Sequence, residues 1–132
     1  MKFLLDTDTC IYVINDRPKE VLRRFQEHDV GDIGVSSITA AELAFGVEKS
    51  GSDRNRVALE AFFLSLDVAP FDAAAASAYG RIRADLERAG KPIGPLDLLI
   101  AAHAAALGVT LVTNNIREFG RVKGVSVVNW AK

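Results

Sequence analysis

Lys2-Phe3-Leu4-Leu5-Asp6 is the stretch that decides the fold, an apolar run of strand length that ends on an acid. Short continuous apolar strands separated by amphipathic helices are typical of a parallel sheet, because helical connections cover both of its faces. We therefore predict an α/β fold with three layers, a parallel sheet between two layers of helices. Four further strands are expected at Gly31–Val35, Asp67–Ala69, Thr110–Thr113 and Ser126–Val128.

Length and composition predict one globular domain over residues 1–132, since 49% of the residues are hydrophobic and 25% are charged. The single cysteine, Cys10, rules out an intramolecular disulfide and suits a reducing compartment. We see no signal-peptide pattern and no apolar run of membrane-spanning length. We therefore expect a cytoplasmic protein with no membrane partner.

Helix signals separate the predicted strands. Thr39-x-x-Glu42 matches a capping box that would open a helix running to about Ser50, with Glu42 in its first turn. Asp97 falls in the first turn of a helix predicted over Leu96–Leu107, which Gly108 would end. Three more helices are expected after Pro18, over Asn55–Leu66 and over Ala73–Ala89.

Three acids, Asp6, Glu42 and Asp97, lie where a strand ends or a helix begins, each among apolar residues. A carboxylate in such a place must be solvated, paired or bound to a cation, because burying it alone is costly. Three of them together would repel each other without a hard cation, and oxygen ligands suit Mg²⁺ or Mn²⁺. Taken singly, each also has a structural explanation: an Asx turn, a capping box or a helix-dipole contact.

Positive charge is local, although the net charge is only −1. Residues 110–132 hold four basic side chains against one acid, a net of +3, and Arg81, Arg83, Arg88 and Lys91 precede Asp97. Such faces can bind phosphate backbones, or they can be ordinary solvated helix surfaces.

Histidine and cysteine chemistry is not expected. His103 lies six residues after Asp97 and so faces away from it on the helix, and Cys10 has no histidine near it in the sequence. Thr7, Ser37 and Thr113 are better placed for supporting hydrogen bonds to a phosphate or a carboxylate than for nucleophilic attack.

Four segments together resemble a PIN domain, and among PIN domains the VapC toxins of bacterial toxin–antitoxin operons. The resemblance covers essentially the whole chain as one domain. The segments are Leu5-Asp6-Thr7-Asp8, Ser36-Ser37-Ile38-Thr39-Ala40-Ala41-Glu42-Leu43, Gly94-Pro95-Leu96-Asp97-Leu98-Leu99-Ile100-Ala101 and Leu111-Val112-Thr113-Asn114-Asn115.

The resemblance implies that Asp6, Glu42 and Asp97 hold Mg²⁺, with Mn²⁺ able to substitute. Many members carry a fourth acid two residues after the strand threonine, where this chain has Asn115, with Glu118 one helical turn later. Either of the two can complete the catalytic set. Asp8 also departs from the family pattern, in which asparagine or serine is common, and either adds negative charge to the edge of the site or only forms a hydrogen bond.

The function implied is that of a Mg²⁺-dependent endoribonuclease toxin that hydrolyses RNA. From their positive charge, Arg81, Lys91 and Arg117 are candidates for contacts to the phosphates. By analogy with the enteric subgroup, the expected target is initiator tRNA, cut in its anticodon stem-loop. The resemblance also implies a VapB-like antitoxin as partner and a homodimer.

Two other functions remain possible at this point. The same acids could serve a non-toxin nuclease that cuts DNA or structured nucleic acid. A receiver-like signalling domain also binds Mg²⁺ through clustered acids, but it would need two adjacent acids after the first strand and a lysine after a late strand. Here the late strand ends in Thr113-Asn114-Asn115, which argues against a receiver.

Overall fold

The computed structural model describes residues 1–132. Its centre is a five-stranded sheet in which every neighbouring pair of strands is parallel. The strands are β1 (Phe3–Leu5), β2 (Ile33–Ser36), β3 (Asp67–Ala69), β4 (Thr110–Val112) and β5 (Val127–Val128).

Seven α-helices and one short 3-10 turn (Val30–Asp32) connect the strands. None of the helices is long and apolar enough to span a membrane. The helices are α1 (Thr7–Asn15), α2 (Lys19–Gln26), α3 (Ser37–Ser50), α4 (Asp53–Phe63), α5 (Ala73–Arg88), α6 (Pro95–Leu107) and α7 (Ile116–Phe119).

The predicted three-layer α/β fold is confirmed by two apolar cores, one on each face of the sheet. Alternate residues of a strand point to opposite faces. Leu4 and Leu111 accordingly pack with α5 and α6, whereas Leu5, Val35 and Val112 pack with side chains of α1, α3 and α4. These five strand residues are completely buried, so the sheet is covered on both sides.

The strands lie in the order β3-β2-β1-β4-β5. The chain first builds outward from β1 through β2 to β3 and then returns to add β4 on the other side. The order therefore reverses between β1 and β4, which is where open α/β sheets form a crevice at the carboxyl ends of their strands. A receiver-like fold would have the order 2-1-3-4-5, so the signalling alternative is wrong.

The capping-box prediction was also wrong. Helix α3 begins at Ser37, and its cap is Ser36, whose hydroxyl accepts a hydrogen bond from the Ile38 N–H. Thr39 is buried instead, and Glu42 is the sixth residue of the helix and lies in its second turn. Glu42 is thereby released from a capping role.

The end of α6 follows the prediction, because Gly108 adopts the left-handed conformation (φ 68°). Such a conformation is open to glycine at little cost. The α5 and α6 helices pack closely along their small residues, with Ala78, Ala101 and Ala104 all buried between them. This packing holds α6, the helix whose first turn carries Asp97, against α5.

Candidate metal and phosphodiester site

The carboxyl ends of the three central strands place their next residues side by side. Leu5 is paired with Val35 in β2 and with Val112 in β4. Asp6, Ser36 and Thr113 therefore follow at the same level, and the Asp6 N–H donates to the Val112 carbonyl at 3.0 Å. Asp6 consequently stands at the reversal of strand order, where a crevice is expected.

Asp6 is buried and held by hydrogen bonds. Its Oδ1 caps α1 by accepting a bond from the Thr9 N–H at 2.9 Å. Burial raises the pKa of Asp6, and the bonds from Thr113 and Thr9 oppose that rise only in part. The Asx turn expected as an alternative thus exists, and it orients a carboxylate inside the crevice.

Glu42 reaches the same edge from α3. The Thr7 hydroxyl donates to Glu42 Oε1 at 2.7 Å, which joins the first residue of α1 to the second turn of α3. The predicted supporting hydrogen bond from Thr7 therefore goes to a carboxylate. Because one oxygen of Glu42 accepts this bond, the direction of its side chain is restricted.

Asp97 and Glu118 approach each other at Gly94. A methyl group placed on Gly94 would lie 3.7 Å from both Asp97 Oδ2 and Glu118 Oε1. Glu118 accepts hydrogen bonds from the Gly94 N–H and from Asn115 Nδ2, each at 2.8 Å. These two bonds lower the pKa of Glu118. The sequence offered Asn115 and Glu118 as alternatives for the fourth residue of the site, and in the structure these two side chains bond to each other.

Asp97 lies near four other acids and forms no ion pair. Burial raises its pKa to about 6, helped by the charges of Glu118, Asp6, Glu42 and Asp8, in that order. None of these five acids takes part in any of the ion pairs of the protein. Only Arg121 is near enough to one of them for its charge to lower the pKa, that of Glu118. The donor set is entirely oxygen and mostly uncompensated in charge, which is the chemistry that hard divalent cations satisfy.

No three of the acids are close enough, as placed, to ligate one ion together. The hydrogen bonds of Asp6, Glu42 and Glu118 direct each carboxylate toward its own partner, and mutual repulsion favours that separation. Binding a cation would require some of these side chains to turn inward.

Comparisons with known proteins identify the family of the chain. The PIN domain family model matches residues 3–125. The chain is 46% identical over 132 residues to the tRNA(fMet)-specific endonuclease VapC of Shigella flexneri, covering 99% of each protein. It is 44% identical over 131 residues to the protein of the same name from Salmonella typhimurium, covering 98% of each.

This chain is a member of the VapC family of PIN-domain proteins. Two structures show the same fold. The DNA-bound VapBC complex of Salmonella typhimurium matches with a TM-score of 0.93 and 44% identity over 98% of each chain. VapBC2 of Rickettsia felis, bound to a fragment of its promoter, matches with a TM-score of 0.92 and 40% identity over 98% of this chain and 99% of that one. PIN-domain ribonucleases are in general metal-dependent nucleases.

The other residues predicted for the site have different positions in this VapC-family chain. Ser37 accepts a hydrogen bond from the Phe71 N–H at 3.0 Å and so secures the start of α5. Arg81, Lys91 and Arg117 are exposed and form no ion pair. His103 is buried, bonds through Nδ1 to the Ser36 hydroxyl at 2.7 Å and has a lowered pKa because of burial, as expected for a structural histidine.

Sequence reasoning missed two features around the acids. Arg121 donates to the Pro92 carbonyl at 3.1 Å, so α7 and its following turn hold the 91–94 loop at two points. A groove of about 610 Å³ also leads away from Thr7 and Glu42 between α1, α3 and α4. Its apolar lining includes Ile11 and Val47, which the sequence shows only as parts of separate helix faces.

Proposed function

We propose that this chain acts as one PIN domain and is a Mg²⁺-dependent endoribonuclease toxin of a type II toxin–antitoxin system, with Mn²⁺ able to substitute. The observation that carries the proposal is the uncompensated carboxylate of Asp97 among four other acids at the switch point of the sheet. Membership of a family whose relatives are named ribonucleases supplies the reaction class.

In the proposed site, Asp6, Glu42 and Asp97 hold the ion, and Asn115 or Glu118 completes the set. The bound cation would supply a water of lowered pKa and positive charge at the phosphoryl oxygens. The protein's part is orientation. Thr7 fixes Glu42 and Thr9 fixes Asp6, each through a short hydrogen bond. No covalent intermediate is needed, since a water activated by the cation would attack the phosphodiester directly.

We further propose tRNA as the substrate, with initiator tRNA cut in the anticodon stem-loop as the specific case. The support comes from two relatives that match nearly the full chain, both named tRNA(fMet)-specific endonucleases. Arg81, Lys91 and Arg117 are proposed phosphate contacts, because each is exposed and free of acidic partners. Thr113, whose hydroxyl accepts a hydrogen bond from the Asn115 N–H, and Ser37, whose hydroxyl accepts one from the Phe71 N–H, would support the site from within the fold.

The proposed partner is a VapB-like antitoxin. Its support is that the structures matched are VapBC complexes and that a groove of about 610 Å³ reaches the acids past Thr7 and Glu42. A peptide in this groove could direct an arginine at the carboxylates, where its guanidinium would take the place of the cation. We also propose a homodimer, since Phe45 and Val57 remain 67% and 58% exposed on α3 and α4.

Purified protein should cleave initiator tRNA in Mg²⁺ or Mn²⁺ and stop when the ion is chelated. Asp6→Asn should abolish cleavage and keep the fold, whereas Asp29→Asn, which removes an exposed acid outside the site, should leave the rate unchanged. Cleavage that persists in Asp6→Asn would refute the carboxylate mechanism. Preference for DNA in a competition assay would favour the non-toxin nuclease.

The toxin assignment has a separate test in cells. Expression of the chain alone should arrest growth, and co-expression of the small neighbouring open reading frame should relieve the arrest. If the chain is active in vitro and harmless when expressed alone, a housekeeping nuclease becomes the better assignment.

A further inference from the structure

A second pocket, of about 430 Å³, lies between the C-terminal part of α5 and the turn that follows α7. Its floor is apolar, because Ile82, Leu86 and Val122 are all buried. Its rim is basic and is formed by Arg88, Arg121 and Lys123 with one acid, Asp85. We name it the rim pocket.

The charge of the rim pocket is only partly neutralised. Arg88 pairs with Asp85 at 3.1 Å, an exposed contact that other ions can replace. Lys123 forms no ion pair, and the hydrogen bond that Arg121 makes is to a neutral carbonyl, that of Pro92. Among the residues that line the pocket, three cations against one carboxylate leave a net charge of +2, although the charge of Arg121 also acts on Glu118 outside it. Elsewhere in the chain, Arg23 and Arg56 are each paired with two acids of their own helices.

The rim pocket is structurally connected to the acids. Arg121 contacts Pro92, two residues before Gly94, and Gly94 lies beside both Asp97 and Glu118. Two residues of chain span at most about 7 Å. The Arg121–Pro92 bond adds 3.1 Å at one end, and the separation of a methyl group placed on Gly94 from the Asp97 carboxylate adds 3.7 Å at the other. The Arg121 guanidinium is therefore within roughly 14 Å of the Asp97 carboxylate. An RNA strand bound at the acids can therefore reach the rim pocket within a few nucleotides.

We propose that the rim pocket binds the phosphodiester backbone of the RNA strand beside the cleavage point, with Lys123 and Arg88 contacting phosphate and the apolar floor contacting sugar or base. The inference rests on the proposed ribonuclease function. A basic rim over an apolar floor suits a nucleotide, which carries its charge on one side and apolar ring faces on the other. It also offsets the repulsion between RNA and the acidic crevice.

Lys123→Gln is the informative variant, because it removes an exposed charge that holds no part of the fold. Arg121 is avoided, since its bond to Pro92 supports the loop. Lys49→Gln is the matched control. Lys49 is exposed on α3, so Lys49→Gln makes the same charge change. Helix α3 packs on the other face of the sheet, where its Leu43 is part of the core, and so lies away from the rim pocket.

Binding of a tRNA anticodon stem-loop should be measured by fluorescence anisotropy in EDTA over a range of NaCl concentrations. One lost phosphate contact should lower the slope of log affinity against log salt by about 0.7 and weaken binding about four-fold at 150 mM salt. Lys123→Gln combined with Arg88→Gln should have a larger effect. Lys49→Gln should match the wild type.

Cleavage kinetics in Mg²⁺ provide a second readout. Lys123→Gln should raise KM and leave kcat unchanged, because the lost contact is present in both the ground state and the transition state. If Lys123→Gln behaves like Lys49→Gln in both the salt slope and KM, the rim pocket proposal is wrong. If the wild type fails to cleave RNA at all, the proposed function fails instead, and the anisotropy series still decides the pocket.

Discussion

Replacing Asp97 by asparagine should stabilise the metal-free protein at pH 8. The pKa of Asp97 rises from its ordinary 3.8 to about 6 because of burial and the four neighbouring acids, a difference equivalent to about 3 kcal/mol. Asp97 is partly exposed, so solvent screening reduces the effect to about 1.5 kcal/mol. Asparagine has nearly the same shape, and no hydrogen bond raises or lowers the pKa of this carboxyl.

The pH dependence has a definite sign. Between pH 3.8 and about 6 the folded protein binds more protons at Asp97 than the unfolded chain does. Stability contributed by this group is therefore present at low pH and lost as the pH rises through about 6. The advantage of Asp97→Asn over the wild type should accordingly shrink to about half at pH 5.

Urea denaturation in EDTA at pH 8 and at pH 5 would measure both effects, with Asp29→Asn as the control for removal of an exposed acid. The expected gain at pH 8 corresponds to a rise in Tm of about 5 °C for a domain of this size. Added Mg²⁺ should stabilise the wild type far more than Asp97→Asn. An Asp97→Asn protein that is no more stable than the wild type at pH 8, or a gain that does not change with pH, would refute the reasoning.

At a fixed, limiting Mg²⁺ concentration the cleavage rate should fall as the pH drops below about 6, because protons compete with the cation for Asp97, and added Mg²⁺ should restore it. If Glu118 is the fourth ligand, Glu118→Gln should slow cleavage nearly as much as Asp97→Asn; if Asn115 is, Asn115→Ala should be the damaging change, and near-wild-type rates for both would show that three carboxylates suffice. His103→Ala should cost about 3 kcal/mol by urea denaturation, because it removes a buried ring and its bond to Ser36, and near-neutral stability would contradict its structural role.

The sequence alone determined the architecture and the candidate acids. The apolar run Phe3–Leu5 predicted a strand covered on both faces, and the structure has Leu4 in one core and Leu5 in the other. The position of an acid directly after such a strand depends only on neighbouring residues in the chain. Asp6 and the helix-opening Asp97 were therefore recognisable without coordinates, as was the family through its four ordered segments.

The sequence pattern assigned Glu42 to a helix cap, because Thr39-x-x-Glu42 fits a capping box as well as it fits the interior of a helix. Strand pairing decided between the two. Because β2 extends through Ser36, the helix cap falls on Ser36, and Glu42 is left to bond with Thr7 across 35 positions of sequence.

Only the tertiary structure showed which groups meet at the acids. The contacts of Glu118 with Gly94 and of Arg121 with Pro92 span more than 20 residues each, and no local periodicity encodes them. The rim pocket likewise joins the end of α5 to the turn after α7. The pKa of Asp97 depends on acids from several such segments, because charge interaction follows distance in space, and folding sets that distance.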